Sequence, residues 1–217
     1  MNIDYSAIDD PRFGIVVYKT PLNATYSASL EKILSESTHP YFRWNPALVG
    51  YSEMPDPNYR KCWDCKVSHK HISQMPKDLE EIYVQTATVT KACVDHYSAT
   101  HNIQMNYMEA VNFVKYGPGE HFAMHSDHGH SYVCTVSTVG YFNDDYEGGE
   151  LEFSKLGFKI KPQAGDVVVF PSTYIYMHAS LPVTAGTKYS AVTMFDYNDT
   201  HHQSHTAPTK PPVFHAK

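Results

Sequence analysis

After Asn102 the sequence changes from a helical to an alternating pattern, and this change constrains the fold more than any other feature. Short runs rich in β-branched and aromatic residues follow one another, separated by Gly, Pro, Asn and Asp. Because no helical pattern intervenes, the runs favour a sandwich or barrel over an alternating β-α-β fold. The predicted strands are Tyr107–Tyr116, Phe122–Ser126, Tyr132–Phe142, Glu150–Phe153, Gly157–Ile160, Asp166–Pro171, Ile175–His178 and Tyr189–Phe195.

The N-terminal half predicts elements that support this β region. Phe13–Tyr18 indicates an early strand, and apolar residues at helical spacing predict a short amphipathic helix over Ala28–Ser35. From His39 to Met75 the chain is irregular and rich in Pro and aromatic residues, which is typical of a lid or binding loop. Asp78 with Glu81 predicts a capping box at the start of a helix that ends near residue 99.

These patterns predict one domain in three parts. Residues 1–105 form the N-terminal support with its aromatic loop, residues 106–197 the β core, and residues 198–217 a C-terminal tail. With 217 residues, of which 42% are apolar and 13% aromatic, the chain can fill a sizeable core. The tail has little to bury and is expected to be peripheral. It contains His201, His202, His205, Pro208 and Pro211.

Charge and composition exclude several classes of partner. The formal charge is −6 and the chain has only three arginines, so a broad basic surface for nucleic acid is not expected. The start of the chain has neither the basic nor the apolar region of a signal peptide, and no apolar run is long enough to span a membrane. We therefore expect a soluble, cytoplasmic protein with no membrane partner. Four cysteines do not make a disulfide scaffold, which fits a reducing compartment. The oligomeric state does not follow from the sequence.

The strongest candidate site is His125-Ser126-Asp127 together with His178, which follows fifty-three residues after His125. Side chains two apart on a strand point the same way, so the His125 imidazole and the Asp127 carboxylate can bind one ion. A ligand set of two histidines and one carboxylate, with the other face of the metal open, suits non-haem Fe(II) oxygenases.

Four segments resemble, in order and spacing, the prolyl 4-hydroxylase branch of the 2-oxoglutarate/Fe(II) oxygenases. The segments are Tyr116–Asp127, Tyr141–Glu150, Ala164–Pro171 and His178–Ser190. The resemblance covers roughly residues 106–197. It implies a mainly β fold with supporting helices, namely a double-stranded β-helix, which is a cupin-like jelly roll of two facing sheets with Fe(II) at its mouth.

The resemblance also implies the chemistry. Fe(II) bound by His125, Asp127 and His178 would keep three positions open for a 2-oxo acid and O2. Decarboxylation of 2-oxoglutarate to succinate and CO2 would then drive hydroxylation of an unactivated C–H bond. The metal and the cofactors would supply the oxidation, while the protein positions them. The resemblance also implies ascorbate as a further cofactor.

Lys188, ten residues after His178 as in the collagen-type prolyl hydroxylases, is the candidate partner for the far carboxylate of the oxo acid. A buried ammonium without a partner is costly, so the pocket should favour a small dicarboxylate. By the same resemblance, Tyr141 and Ser190 would hydrogen-bond that carboxylate, and Tyr116 would contact the oxo acid or the substrate.

Two more residues are candidates for the cofactor pocket. Ser137 lies four residues before Tyr141, on the same face of the predicted strand, and is expected to line the pocket. Met194 lies six residues beyond Lys188, where relatives often have Trp.

Neighbouring histidines offer alternative ligands. His128 and His130 follow the first ligand pair, but Gly129 indicates a turn that takes both off the strand, so a loop or rim position is favoured over ligation. His121 lies four residues before His125 and should share its face of the strand, either on the pocket wall or as an ordinary core or surface residue.

A second metal site is a less favoured alternative. Cys62, Cys65, His69 and His71 have the right count for zinc, but the usual long gap between two ligand pairs is missing. A reduced cysteine pair in an aromatic loop is the simpler interpretation.

The substrate is the least determined part of the function. Prolyl members often bring an Arg from the barrel to the substrate, and this chain has no Arg after Arg60. An extended, Pro-rich peptide or protein segment is the favoured substrate, because such a chain is already stiff and loses little freedom on binding. Loop residues that could close over it are Tyr51, Tyr59, Arg60 and Trp63.

Peptidyl-proline 4-hydroxylation is therefore the first hypothesis. A related oxygenase acting on a free amino acid, a small metabolite or another residue type is the alternative. A non-catalytic β-helix module that binds metal and ligand is a third. The presence of His125, Asp127, His178 and Lys188 argues against the module.

Overall fold

Fifteen strands and two α-helices form the part of the chain that the computed structural model describes, which is residues 2–4, 9–10, 14–49, 54–129 and 133–202. The helices are α1 (Ala24–Glu36) and α2 (Lys77–His101), and short 3-10 turns cover His69–Gln74, Ser154–Leu156 and Tyr174–Tyr176. The strands are β1 (Asp9–Asp10), β2 (Ile15–Lys19), β3 (Asn45–Pro46), β4 (Arg60–Lys61), β5 (Trp63–Val67), β6 (Tyr107–Tyr116), β7 (His121–His125), β8 (Val136–Tyr141), β9 (Glu147–Gly148), β10 (Leu151–Phe153), β11 (Phe158–Ile160), β12 (Asp166–Pro171), β13 (His178–Ser180), β14 (Val183–Ala185) and β15 (Lys188–Asp196).

The strands form two main antiparallel sheets. The larger sheet has the order β1-β2-β12-β8-β15-β6-β5-β3, the smaller has the order β11-β10-β13-β7-β4, and β14 pairs with β9 in a separate ribbon. Apolar side chains from β2, β8 and β12 of the larger sheet meet those of β10 from the smaller sheet in one buried cluster. The two sheets therefore face each other across a shared core.

Helix α2 covers the other face of the larger sheet. It packs on β6, β8, β12 and β15. Buried Leu79, Val89 and Cys93 of the helix belong to the same apolar cluster as Val111 and Phe113 of β6. The larger sheet is thus covered on both faces, which explains why β8 is buried along its whole length.

Both helices were expected, but the start of α2 differs from its prediction. The helix begins at Lys77 after Pro76, and no side chain caps its first turn, so the predicted capping box of Asp78 and Glu81 is wrong. Because the helix starts one residue earlier, Asp78 lies inside the first turn. There its carboxylate still interacts favourably with the helix dipole.

The segment from His39 to Met75 is more ordered than its sequence suggests. Strand β4 pairs with β7 and β5 pairs with β6, so this segment extends both sheets. The prediction of an irregular loop is therefore wrong for these strands. Their pairing partners lie between 44 and 62 residues further along the chain, so local alternation alone did not reveal them.

Three other predictions need correction or lie outside the described residues. Residues 174–176 form a 3-10 turn, and the strand expected at 175–178 begins only at His178. His202 is buried, stacks on Tyr107 with ring centroids 4.2 Å apart, and contacts Asp196, so this part of the tail is not peripheral. Phe13, residues 130–132 and the tail beyond residue 202 lie outside the described residues. None of the described helices is long and apolar enough to cross a bilayer.

Candidate metal centre and cofactor cavity

His125, Asp127 and His178 converge at one point. Each offers one donor atom, and the three donor atoms lie within 4.8 Å of one another. His125 Nε2 is 3.4 Å from Asp127 Oδ1, and His178 Nε2 is 3.7 Å from Asp127 Oδ2. Within the described ranges, this is the one group of His, Cys, Asp and Glu side chains close enough to hold a metal ion.

Strand pairing positions the two imidazoles. His125 is the last residue of β7 and His178 the first of β13, and the two are direct partners across the antiparallel pair. Each Nδ1 donates a hydrogen bond to a backbone carbonyl two residues earlier, His125 to Ala123 at 2.8 Å and His178 to Tyr176 at 3.0 Å. In the neutral form of each ring this bond places the proton on Nδ1 and leaves Nε2, which faces Asp127, available to bind a metal ion.

Asp127 lies just beyond the strand rather than on it, because β7 ends at His125. Burial alone would raise the pKa of its carboxyl, but the nearby imidazoles of His178 and His125 and a hydrogen bond from Ser137 hold that pKa well below its usual value. The pKa of His178 is lowered, chiefly by burial. The lowered pKa of Asp127 favours its carboxylate form, and the lowered pKa of His178 favours its neutral imidazole; these are the forms that bind a metal cation.

The ammonium of Lys188 lies in the same cavity. Lys188 is 2% exposed, and its Nζ donates to the Gly149 carbonyl at 2.9 Å and to the Ser180 hydroxyl. It also lies 4.4 Å from the centre of the Tyr116 ring. Neither hydrogen-bond partner is charged, and burial lowers the pKa of Lys188 to about 7.

One cavity of about 120 Å³ connects the metal group with the Lys188 ammonium. It is lined by all three residues of the metal group and by Lys188, Tyr116, Tyr141, Ser190 and Met194. Strand β15 explains this arrangement, because Lys188 pairs with Tyr116 on β6, and Ser190 pairs with Tyr141 on β8. Five of the six cofactor-pocket residues predicted from sequence therefore reach the same cavity.

Ser137 is placed differently from its prediction. It shares a strand face with Val139 and Tyr141, but it lies at the metal end, opposite Met194. Its hydroxyl is 2.8 Å from that of Ser172 and hydrogen-bonds Asp127. Ser137 therefore supports the carboxylate from behind instead of lining the cavity.

A bulge in β7 corrects the expectation for His121. The pairing with β13 shifts between Phe122 and His125, so these two residues, three apart, face the cavity together. Their rings stack with centroids 3.6 Å apart. His121 instead lies near the Asn58 carbonyl, at 3.2 Å, away from the site.

His128 also takes no part in the metal group. It lies in a bend after Asp127, and its Nδ1 donates to the Cys134 carbonyl at 2.6 Å, in agreement with the turn predicted at Gly129. His130 lies outside the described residues.

The cysteines do not form a second site. Cys62 and Cys65 are free and buried, and Cys65 Sγ donates to the Tyr41 carbonyl at 3.5 Å. The His71 ring faces Ser68 instead of the cysteines. Burial raises the pKa of both thiols, that of Cys65 to about 12. The described part of the chain therefore shows a reduced pair and no zinc geometry.

Several residues of the site were missed in the sequence. Ser180 accepts from Lys188, and its position two residues after His178 on the same strand was a usable signal. Phe122 and Asn112 also line the cavity, and Arg60 reaches it from β4. Arg60 was predicted only as a loop residue that could close over the substrate, and not as part of the cavity wall.

A groove of about 570 Å³ continues from the cavity to the surface. Seven residues line both, and they connect the two: Arg60, Asn112, Phe122, His125, Asp127, Val192 and Met194. The groove alone is further lined by Leu48, Tyr59 and Lys66, among others. A ligand in the groove would therefore lie directly against the metal group.

Comparison with known proteins agrees with this geometry. Residues 111–196 match the family model of the 2OG-Fe(II) oxygenase superfamily. Over these 86 of its 217 residues the chain is similar to that superfamily. The match begins in β6 and ends with β15, so it spans all three residues of the metal group and Lys188.

Solved structures with a similar fold support the architecture described above. A prolyl-4-hydroxylase from Pseudomonas putida is 20% identical, has a TM-score of 0.65, and is covered over 95% of its length by 87% of this chain. A Trichoplax adhaerens prolyl hydroxylase, solved with a peptide fragment of the hypoxia inducible factor oxygen degradation domain, has a TM-score of 0.63 at 16% identity, over 84% of this chain and 83% of that one. The predicted double-stranded β-helix is therefore confirmed.

A curated relative covers less of the chain. Mouse procollagen-lysine,2-oxoglutarate 5-dioxygenase 1 is 30% identical over 84 residues, which is 38% of this chain and 12% of the relative. The chain thus spans about an eighth of the length of that relative.

Proposed function

We propose that this protein is an Fe(II)- and 2-oxoglutarate-dependent dioxygenase that hydroxylates peptidyl proline at C4. One observation carries the proposal: two imidazoles and a carboxylate meet within 4.8 Å at one end of a cavity whose other end holds the buried Lys188 ammonium. In the reaction, 2-oxoglutarate would be converted to succinate and CO2.

The residues at the metal end fit Fe(II). The set of two histidines and one carboxylate is the one that suits non-haem Fe(II), and it leaves positions free for other ligands. Backbone carbonyls fix both imidazoles with Nε2 directed at Asp127. When bound, Fe(II) with 2-oxoglutarate and O2 would supply the oxidation, and ascorbate would serve as a reductant for the iron.

The residues at the lysine end fit a carboxylate. The Lys188 ammonium has only uncharged hydrogen-bond partners, and a buried cation of this kind gains most from an anionic ligand. Ser190 and Tyr141, paired across β15 and β8, are the proposed hydrogen-bonding partners of the same carboxylate, while Tyr116 holds the Lys188 side chain through its ring. Met194 lines the cavity at its metal end, where it restricts access from the groove.

The groove supports a peptide substrate. It is open, it leads to the metal group, and aromatic and apolar side chains such as Tyr59, Phe122 and Leu48 line it. A stiff Pro-rich segment binds such a surface at a low cost in conformational freedom. The two solved neighbours are named as prolyl hydroxylases, and one of them was solved with a peptide.

The test uses the full chain with Fe(II), 2-oxoglutarate and O2, with and without a blocked Pro-Pro-Gly repeat peptide. We expect peptide-stimulated succinate, and a gain of one oxygen atom that amino-acid analysis identifies as 4-hydroxyproline. His178→Ala should abolish both signals. His69→Ala changes the same residue type at an exposed position outside the site and is the matched control. Succinate without any modified proline would refute the proposed substrate, and no succinate with any substrate would favour a binding module.

Peptidyl lysine is a second candidate substrate. The observation that favours it is the 30% identity to a relative named for the 5-dioxygenation of procollagen lysine. A peptide that contains both proline and lysine, analysed by fragmentation mass spectrometry, separates the two hypotheses. If the added oxygen were found on lysine alone, lysine would replace proline as the proposed substrate, and the proposed use of the cofactors would be unchanged.

A further inference from the structure

Arg60 and Asn112 stand at the junction of the cavity and the groove. Arg60 is the first residue of β4 and Asn112 lies in the middle of β6. Both line the cavity as well as the groove. A ligand that occupies both the groove and the cavity would therefore lie beside these two residues.

Asp64 fixes these two side chains relative to each other. Arg60 Nη2 donates to Asp64 Oδ2 at 3.0 Å, and Asn112 Nδ2 donates to the same oxygen at 3.3 Å. Arg60 Nη1 donates to the Leu48 carbonyl at 3.0 Å. The guanidinium also lies over the Phe122 ring at 4.8 Å. Because one carboxylate oxygen accepts from both side chains, their terminal groups are held next to each other.

Each side chain has one polar atom without a partner. Arg60 Nε, a donor, and Asn112 Oδ1, an acceptor, are buried and make no hydrogen bond. The neighbouring Cys62 thiol, whose pKa burial raises, is neutral and only a weak acceptor. Buried polar atoms are almost always paired in native proteins, so two unpaired ones beside a ligand groove call for an explanation.

We propose that Arg60 and Asn112 recognise a peptide group of the substrate, with the guanidinium donating to its carbonyl and Asn112 Oδ1 accepting from its N–H. A peptide group supplies one acceptor and one donor, which complements this pair. Both atoms are covered in the unliganded groove, so binding includes a small rotation of each terminal group, as is common for side chains at interfaces.

The charge balance favours a peptide over a free amino acid. The Arg60 guanidinium is already paired with the Asp64 carboxylate, so this wall offers no unpaired charge to an amino or carboxyl terminus. A neutral amide is a better match to such a surface than a zwitterion. The inference rests on the proposed function and assigns residues that select its peptide substrate.

Binding is measured by fluorescence anisotropy with a labelled, blocked Pro-Pro-Gly repeat peptide, on the full chain with Fe(II) and 2-oxoglutarate under anaerobic conditions. We expect Arg60→Lys and Asn112→Leu each to weaken peptide binding about tenfold, since each loses one hydrogen bond. Arg43→Lys, the same exchange at an exposed arginine, is the matched control. Thermal melting and metal content are measured for both variants, so that a loss of peptide binding is compared only between folded, metal-loaded proteins.

A chemical change in the peptide tests the assignment to Asn112. In Pro-Pro-Gly repeats only glycine has a backbone N–H, so each glycine is replaced in turn by glycolic acid, which removes that donor. One such ester should weaken binding to the wild type about tenfold and have no further effect on Asn112→Leu.

The outcomes separate this inference from the proposed function. Unchanged peptide affinity in Arg60→Lys or Asn112→Leu, equal ester sensitivity in wild type and Asn112→Leu, or no peptide binding by the wild type would each overturn the inference. If instead the variants bind the peptide less well but the wild type adds no oxygen to it, the inference holds and the proposed reaction fails.

Discussion

The two ends of the cavity achieve their charge balance in opposite ways. At the metal end, Asp127 lies between His125 and His178, and the three groups stabilise one another before any ligand is bound. At the other end, the buried Lys188 has neutral hydrogen-bond partners, and its pKa falls to about 7. The metal end is therefore preorganised by its own residues, whereas the lysine end depends on its ligand for a counter-charge.

The largest effect on iron binding and turnover is expected from the removal of a metal ligand. Asp127→Ala removes the only anion of the group, so iron affinity and turnover should fall by at least ~100-fold, more than for a supporting residue. Iron content after dialysis and succinate formation are the measurements. Asp95→Ala, at an exposed carboxylate on α2, is the control. Full iron retention in Asp127→Ala would contradict the assignment.

Substitution of Lys188 should weaken the binding of 2-oxoglutarate without weakening the binding of iron. Lys188→Ala loses charge-assisted contacts worth about 1.5–3 kcal/mol, so the KM for 2-oxoglutarate should rise roughly 10- to 150-fold while iron affinity stays nearly unchanged. Lys159→Ala, at an exposed lysine of β11, should leave both unchanged. If Lys188→Ala lost iron and 2-oxoglutarate to the same degree, the two ends would not be independent.

A smaller effect should follow from removing the support behind the metal end. Ser137→Ala deletes a hydrogen bond to Asp127, so iron affinity should fall about tenfold, with the KM for 2-oxoglutarate unchanged. Isothermal titration with Mn(II) measures the first quantity without turnover. If Ser137→Ala instead changed only the KM for 2-oxoglutarate, Ser137 would be a residue of the cofactor pocket, as the sequence predicted.

The remaining effect is a pH dependence confined to the lysine end. Burial is the main cause of the low pKa of Lys188, with a further lowering by Lys161 and opposing effects of Cys62 and Glu150. A dicarboxylate binds the ammonium form, so below pH 7 its affinity should be constant. Above pH 7 the amine must first take up a proton, and affinity should fall by up to about tenfold per pH unit. Isothermal titration of 2-oxoglutarate from pH 6 to about pH 9 checks this, and a flat profile would mean that Lys188 stays charged.

The sequence predicted the core of the site because its residues belong to long, clearly patterned elements. The ends of β6 and β12 agree with the prediction to the residue. Side chains of β15 alternate between the two faces of the sheet, so residues two apart, such as Lys188 and Ser190, lie on the same face and both reach the cavity. The register with β6 and β8 then brings Tyr116 and Tyr141 to the same place.

The parts that escaped prediction depend on long-range pairing or on irregular backbone. Strand β4 has only two residues, and its pairing with β7 decides that Arg60 reaches the site. The bulge in β7 turns Phe122 towards the cavity and His121 away from it, which strict alternation reverses. The apolar run at 174–176 fits a strand as well as a 3-10 turn, and only packing distinguishes the two.

Strand β15 has one more consequence. Lys188 and Met194, at the two ends of the cavity, lie on the same unbroken strand. Six residues of strand cover about 20 Å, so the backbone sets the spacing between the Cα atoms of these two residues. Exchanging side chains cannot lengthen or shorten that distance. A larger change in that spacing would require the cation to lie at another position along the strand.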